Sequence, residues 1–354
     1  MIKSYMTKVT ICAIAKNEER YIEDWLKYHY ELGFDNITIY DNNIPERRGE
    51  LRTFINKSTK LTPKMIAATE VIDATGKIGY QPQAYNEYYK RGGFDWCAFI
   101  DIDEFITLVK WKNIKDRVND SIFDNTTAIY LIWDTISDDN IVDVPDNFVY
   151  NGMLAKDITD PSERERAADE WEKIPVYDRF KIPRNTYDAY IGKILLRGGV
   201  DDINIVIHHI NSKKAITKNV FGRICVNNPV RYNQHEVDRV KNIAYIRHYR
   251  TKTIREYLRQ KYLNKTDADN SSKRTLFVED YFFLINERTL EKVKYYNTYH
   301  QPIILNILSE DSKTFNHNAL YYMPNNYKNR RNTFLITIEM VKRYINSIDR
   351  ITVI

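Results

Sequence analysis

Strand and helix patterns alternate without interruption from the N-terminal region through Trp133, and this alternation constrains the fold more than any other feature. Val9–Ala15 (VTICAIA) is a continuous apolar run rich in β-branched residues, the pattern of a strand covered on both faces. Asn17 offers an N-cap, and Glu18 and Glu19 suit the positive end of a helix dipole. Tyr21, Ile22, Trp25, Leu26, Tyr28 and Leu32 then recur at helical spacing until Gly33, a residue suited to a helix end. Asn36–Asp41 (NITIYD) reads as the second strand. The pattern continues with a helix over 47–58, a strand over 64–73, a helix over 81–91, a strand over 96–102 (WCAFIDI), a short helix over 112–119 and a strand over 127–133. This order predicts an α/β fold, a Rossmann-like, mostly parallel sheet with helices on both faces. Ligands of such sheets sit at the carboxyl ends of the strands.

Residues 151–190 break the rhythm, and Asp160-Pro161 before SERERAADEW predicts a capped, very polar helix on an excursion from the sheet. Strand patterns return over 193–196 and 203–210. Thr253-Ile254-Arg255-Glu256 is a capping-box pattern that starts a helix running to about Leu263, and 276–310 and 334–348 are helical by period. Two regions are therefore expected: an α/β domain over 1–250 with an excursion at 151–190, and a helical, basic C-terminal region over 251–354.

The charge is uneven. Residues 241–354 hold 20 Lys and Arg against 11 Asp and Glu, while the whole chain is only +5. A basic third suits an anionic membrane surface such as the inner leaflet, a polyanionic substrate, or simply a solvated face. No helix-turn-helix, zinc-finger or RNA-binding signature accompanies the charge, so nucleic acid is not expected as a partner. No apolar run of about 18 residues is present to span a membrane, and the N-terminus carries no signal-peptide pattern. Cys12, Cys97 and Cys225 cannot build a disulfide framework and show no metal-ligand spacing. Reduced thiols in a cytoplasmic protein are expected, peripheral at the membrane's inner face if the basic third binds lipid.

The residues richest in chemistry are Phe99-Ile100-Asp101-Ile102-Asp103-Glu104-Phe105, an apolar strand ending in three acids. Side chains two apart on a strand point to one side, so Asp101 and Asp103 can converge on a hard cation. Mg²⁺ and Mn²⁺ suit such oxygen ligands and bridge carboxylates to substrate phosphates. The alternative is a solvated cluster of acids at a strand end. No G-x-G-x-x-G follows the first strand and no G-x-x-x-x-G-K-[ST] occurs, which disfavours a dinucleotide dehydrogenase and a P-loop NTPase. Asp41 ends the second strand, where it can accept from a ribose hydroxyl or a base N–H, or form a simple Asx turn. Gln81, Gln83 and Tyr85 on the helix before the acids are placed either to touch a substrate or as ordinary surface polarity. Tyr321 to Tyr327 (YYMPNNY) suit sugar stacking or a lipid interface.

Ala15-Lys16-Asn17-Glu18, Trp25-Leu26-Lys27-Tyr28-His29, Leu32-Gly33, Ile39-Tyr40-Asp41-Asn42 and WCAFIDIDEF together resemble glycosyltransferase family 2 and family 92 sequences, which have a GT-A fold. The resemblance continues at Gly192-Lys193-Ile194, His208-His209 and Arg247-His248-Tyr249-Arg250-Thr251-Lys252, so it spans roughly residues 8–262 in order. It implies a nucleotide-sugar donor, most often a UDP-sugar, and Mn²⁺ or Mg²⁺ held by the DxD motif. Asp101 would face the ribose or the metal, and Asp103 the metal. Ala15, Asn17 and Asp41 would surround the nucleotide, and Lys193 would approach the diphosphate. A late histidine would complete the metal site. His209 is preferred there, with His248 and Lys252 assigned to the diphosphate or to structure. One segment departs from the family 92 pattern: Ile132–Asp139 stands where a Phe-Gly-Ser-type stretch is usual.

An inverting reaction needs a carboxylate to take the acceptor's proton. Asp134 is the candidate because it ends a strand expected beside the acid-bearing one; Asp138 and Asp188 are alternatives. The implied activity is sugar transfer to a glycan or lipid-linked glycan, such as a growing bacterial capsule or lipopolysaccharide. A metal-dependent nucleotidyltransferase or phosphodiesterase, and a non-catalytic nucleotide-sugar or glycan binder, are the competing functions.

Overall fold

The computed structural model describes residues 7–250 except 78, 138–140, 142, 183–190 and 226–233, and beyond them 252, 253 and 256. The first part of the chain forms β1 (Val9–Ala15), α1 (Glu19–Glu31), β2 (Asn36–Asp41), α2 (Glu50–Asn56), α3 (Pro63–Ala67), β3 (Thr69–Asp73), α4 (Gln81–Arg91) and β4 (Trp96–Phe99). Then come β5 (Glu104–Leu108), α5 (Ile114–Val118), β6 (Ala128–Thr135), β7 (Val149–Tyr150), β8 (Met153–Leu154), α6 (Pro161–Glu172) and α7 (Val176–Arg179). The last described elements are β9 (Gly192–Arg197), β10 (Asn204–Val206), β11 (His209–Asn211), β12 (Thr217–Lys218), α8 (Gln234–Lys241) and β13 (Ala244–His248).

The main sheet runs β3-β2-β1-β4-β9-β6-β13-β5, with β12 also beside β6. β1, β2, β3 and β4 are mutually parallel, and all seven residues of β1 are buried. β9 is antiparallel to both its neighbours, whereas β13 is parallel to β6 and antiparallel to β5. The expected α/β class, a mostly parallel sheet flanked by helices, is the one observed. The chain steps outward from β1 to β3 and then returns across β1 to β4. Right-handed crossovers therefore set α1, α2 and α3 on one face and α4 on the other. The reversal lies between β1 and β4, and the crevice outside their carboxyl ends is where such a sheet takes a ligand.

Several local expectations change. Residues 64–67 are helical, because Pro63 occupies the first turn of α3 and the Met65 N–H donates to Thr62 Oγ1 at 3.3 Å. The strand expected to reach Ile102 ends at Phe99, and Asp101 to Glu104 form a turn in which the Glu104 N–H donates to Asp101 O at 3.1 Å. The expected strand over 203–210 is a hairpin, with Val206 paired to His209 across a turn at Ile207 and His208. β9 lies between β4 and β6, so Asp134 does not end a strand beside the acid-bearing one.

The chain divides into two compact units: Met1–Ser137 with Pro175–Arg250, and Asp138–Ile174 with Thr251–Ile354. The first holds the sheet. In the second, β7 and β8 form a short hairpin, and Asp160 caps α6 by accepting the Ser162 N–H at 2.8 Å, as the sequence predicts. The predicted capping box forms there too: the Glu256 N–H donates to Thr253 Oγ1 at 3.1 Å and the Thr253 N–H to Glu256 Oε2 at 3.2 Å. The helices expected over 276–310 and 334–348 and the tyrosines of 321–327 lie outside the described residues. Among the described residues, no helix is long and apolar enough to cross a membrane.

Candidate functional site

The end of β4 delivers the three acids to the sheet's switch point. Asp101 is clamped from two directions. Its Oδ2 accepts from the Lys193 ammonium of β9 at 2.8 Å, and its Oδ1 accepts from the Gln81 amide and the Tyr85 hydroxyl of α4, the latter at 3.3 Å. Gln81 also donates to the Tyr85 hydroxyl at 2.8 Å. Glu104 is fully buried, its Oε2 accepting the Asp101 N–H at 3.0 Å and its Oε1 lying 3.8 Å from Lys193. Burial pushes the Glu104 carboxyl well above its ordinary pKa; Lys193 opposes the shift and Asp101 and Asp103 reinforce it. Burial works against the Lys193 ammonium, but Asp101 and Glu104 outweigh it and hold its pKa above normal.

Asp103 faces another neighbour. Its Oδ1 lies 3.7 Å from His248 Nε2, and the Tyr249 N–H donates to its backbone oxygen at 2.9 Å. Strand register explains the meeting. Glu104 pairs with His248 across β5 and β13, and Thr135 pairs with His248 across β6 and β13. Partners across a ladder share a face, so Glu104, His248, Trp133 and Ile246 line one side of this part of the sheet. The Trp133 ring stands 4.2 Å from that of His248 and 5.1 Å from that of His208.

His208, at the hairpin turn, was noted in the sequence as part of the resemblance but given no role there. Its Nδ1 lies 3.1 Å from Gly192 O, so Nδ1 carries the proton and Nε2 the lone pair. Burial, with Lys193 nearby, lowers its pKa to about 4 and keeps it neutral. His209, the residue preferred for metal, pairs with Val206 in the hairpin, and it is His248 that stands beside Asp103.

The carboxyl ends of β1 and β2 form the other rim. Asn17 does not cap α1, whose first turn is preceded by Glu18 without a side-chain cap. It adopts the left-handed conformation, φ 55°, donates its N–H to Asn43 Oδ1 at 2.7 Å, and accepts from Arg47. Ala15 O accepts the Asn42 N–H at 2.8 Å. Asp41 is buried, accepts the Asn43 N–H at 3.1 Å, and has its pKa raised by that burial. Ala15, Asn17 and Asp41 thus lie together at the carboxyl ends of β1 and β2, and β4 is the other neighbour of β1.

Asp134 is placed elsewhere. It alternates with Trp133, faces the opposite side of the sheet with Arg247, and is paired at 2.6 Å with Lys241 of α8. Lys252 belongs to the second compact unit, and Asp138 and Asp188 lie outside the described residues. Among the described residues, no group of three or more His, Cys, Asp or Glu side chains could by itself enclose a metal ion.

No family model matches the chain. It is 28% identical over 123 residues to a glycosyltransferase family 92 protein of Ricinus communis, covering 34% of this chain and 21% of that protein. It is 26% identical over 106 residues to a glycosyltransferase family 92 protein of Oryza sativa subsp. japonica, covering 30% and 17%. The matched stretch is about a fifth of the length of these relatives. Among solved structures, residues 1–349 of S. aureus TarS are 13% identical across 86% of this chain and 83% of that one, with a TM-score of 0.32. The same TarS fragment in complex with UDP gives 14%, 86%, 83% and 0.29. Likenesses this loose assign no residue, and the sheet order above stands on its own hydrogen bonds. Over about a third of its length, the chain is similar in sequence to the family 92 glycosyltransferases, as its motifs indicated.

Proposed function

We propose that this protein is a divalent-metal-dependent, inverting glycosyltransferase that moves a sugar from a nucleotide-sugar, a UDP-sugar foremost, to a hydroxyl of a glycan or lipid-linked glycan. The observation that most supports this reading is the acid turn at the switch point, with Asp103 and His248 3.7 Å apart and Asp101 two residues away. Asp103 and His248 would hold Mn²⁺ or Mg²⁺ between them, with water and substrate oxygens supplying its other ligands. A carboxylate with an imidazole favours Mn²⁺ of the two. Bound there, the cation would offset the charge developing on a departing nucleoside diphosphate.

The remaining work falls to the chain itself. The rim of Ala15, Asn17 and Asp41 receives the nucleoside, and Asp101 accepts from one of its hydroxyls. Trp133 and His208 line the adjoining wall, where an aromatic face and an imidazole lone pair suit a sugar ring. The basic residues of 241–354 favour work beside an anionic leaflet that presents the acceptor.

The test is twofold. UDP with Mn²⁺ should raise the thermal midpoint more than ADP or GDP with Mn²⁺, and one member of a UDP-sugar panel should yield free UDP and a glycosylated acceptor. Cleavage of the nucleotide's own α–β bond would instead support a nucleotidyltransferase or phosphodiesterase.

A further inference from the structure

Lys193 is the least expected member of the site. Its side chain has no exposed surface, whereas Asp101 keeps 32% of its side chain exposed. A buried ammonium persists only with close partners. Lys193 has two: Asp101 at 2.8 Å and Glu104 at 3.8 Å. Glu104 Oε1 has no hydrogen-bond partner, so a lysine that swung out toward a phosphate would strand a fully buried carboxyl. The second oxygen of Asp101 is held from the opposite side by Gln81 and Tyr85, and its backbone N–H is held by Glu104. One carboxylate is thus fixed from β9, from α4 and from its own turn, and of the Lys193–Asp101–Glu104 cluster it alone reaches open space.

Building on the proposed function, we infer that Lys193 is a positioning residue: it fixes Asp101 for a nucleoside hydroxyl and does not itself touch the donor's phosphates. This departs from the role that the family resemblance implies for it. Gln81 and Tyr85 form the uncharged half of the same clamp.

Comparing UDP with uridine separates the two roles, because uridine lacks the phosphates. Lys193→Met should weaken UDP and uridine by the same factor, about tenfold, in calorimetric and NMR titrations of the full chain with Mn²⁺. In an Asp101→Asn background, Lys193→Met should add less than about a twofold further loss, since it acts through Asp101. A loss confined to UDP, or losses that multiply in the double variant, would overturn the inference. Lys193→Met leaves the buried Glu104 carboxyl without its cation, so Tyr85→Phe provides a test that removes only one hydroxyl. It should weaken both ligands alike, about threefold, in a variant that still melts cooperatively; no loss, or a loss for UDP alone, contradicts the clamp. Wild-type protein that binds neither ligand overturns the glycosyltransferase reading and this inference with it. Wild-type protein that binds UDP, with a Lys193→Met defect specific to UDP, overturns this inference alone.

Discussion

Asp101 and Asp103 stand two positions apart and serve different neighbours: Asp101 meets Lys193, Gln81 and Tyr85, and Asp103 meets His248. The division follows from the turn. On a continuous strand the two side chains would point the same way, whereas the Asp101-to-Glu104 turn spreads them over different elements. If Asp103 and His248 share the cation, His248→Gln should weaken Mn²⁺ binding by at least about tenfold, read by electron paramagnetic resonance of free Mn²⁺. His209→Gln should leave it unchanged, and the reverse pattern would return the metal to the hairpin. The acids were legible because they end an apolar strand, whereas Lys193 and His248 entered only through the family resemblance. His208 was noted but its role was not legible, because local pattern does not separate an unbroken strand from a two-residue hairpin here, and only the turn decides which histidine faces Trp133.

At the scale of elements, α1 anchors the strand that follows the acids. The Trp25 indole donates to Glu104 O at 2.8 Å and the Tyr28 hydroxyl to Ile106 O at 2.9 Å. His29 completes the tie: its Nδ1 donates to Trp25 O at 2.9 Å and its Nε2 accepts the Ile106 N–H at 3.4 Å. Burial lowers the His29 pKa from 6.5 to about 3. Between those two values the unfolded chain binds a proton that the folded one refuses, so stability falls as pH drops from about 6.5 toward 3, by up to about 1.4 kcal/mol per pH unit. Urea unfolding across that range should show a shallower pH slope for His29→Gln than for wild type, and equal slopes would contradict the buried neutral imidazole. β9 makes a second prediction. A Cβ on Gly192 would lie 1.9 Å from Leu131 O, so Gly192→Ala should cost about 2 kcal/mol or more, seen as a lowered thermal midpoint. The insertion of β9 between β4 and β6 could not be read from local pattern. β9 is antiparallel to partners 95–101 positions away in β4 and 60–68 positions away in β6, so only closure of the whole sheet selects its place.

At the scale of the molecule, the strand order places β1 and β4 at the reversal of the sheet, and the candidate site follows from that placement. The repeating strand-and-helix rhythm made this half of the fold readable before any coordinates. The closing strands β5 and β13 went unread, because short runs such as EFITL and AYIRH carry too little periodicity to be told from loops. Those two strands nevertheless bring His248 to Asp103 and turn an acidic strand end into a candidate cation site. The most direct measurement is a calorimetric titration of UDP into the wild-type chain and into Asp103→Ala, each with Mn²⁺ and with chelator. Wild-type binding that needs Mn²⁺, and its loss in a variant that still melts cooperatively, is the predicted result; UDP affinity unchanged by either chelator or the substitution would contradict it.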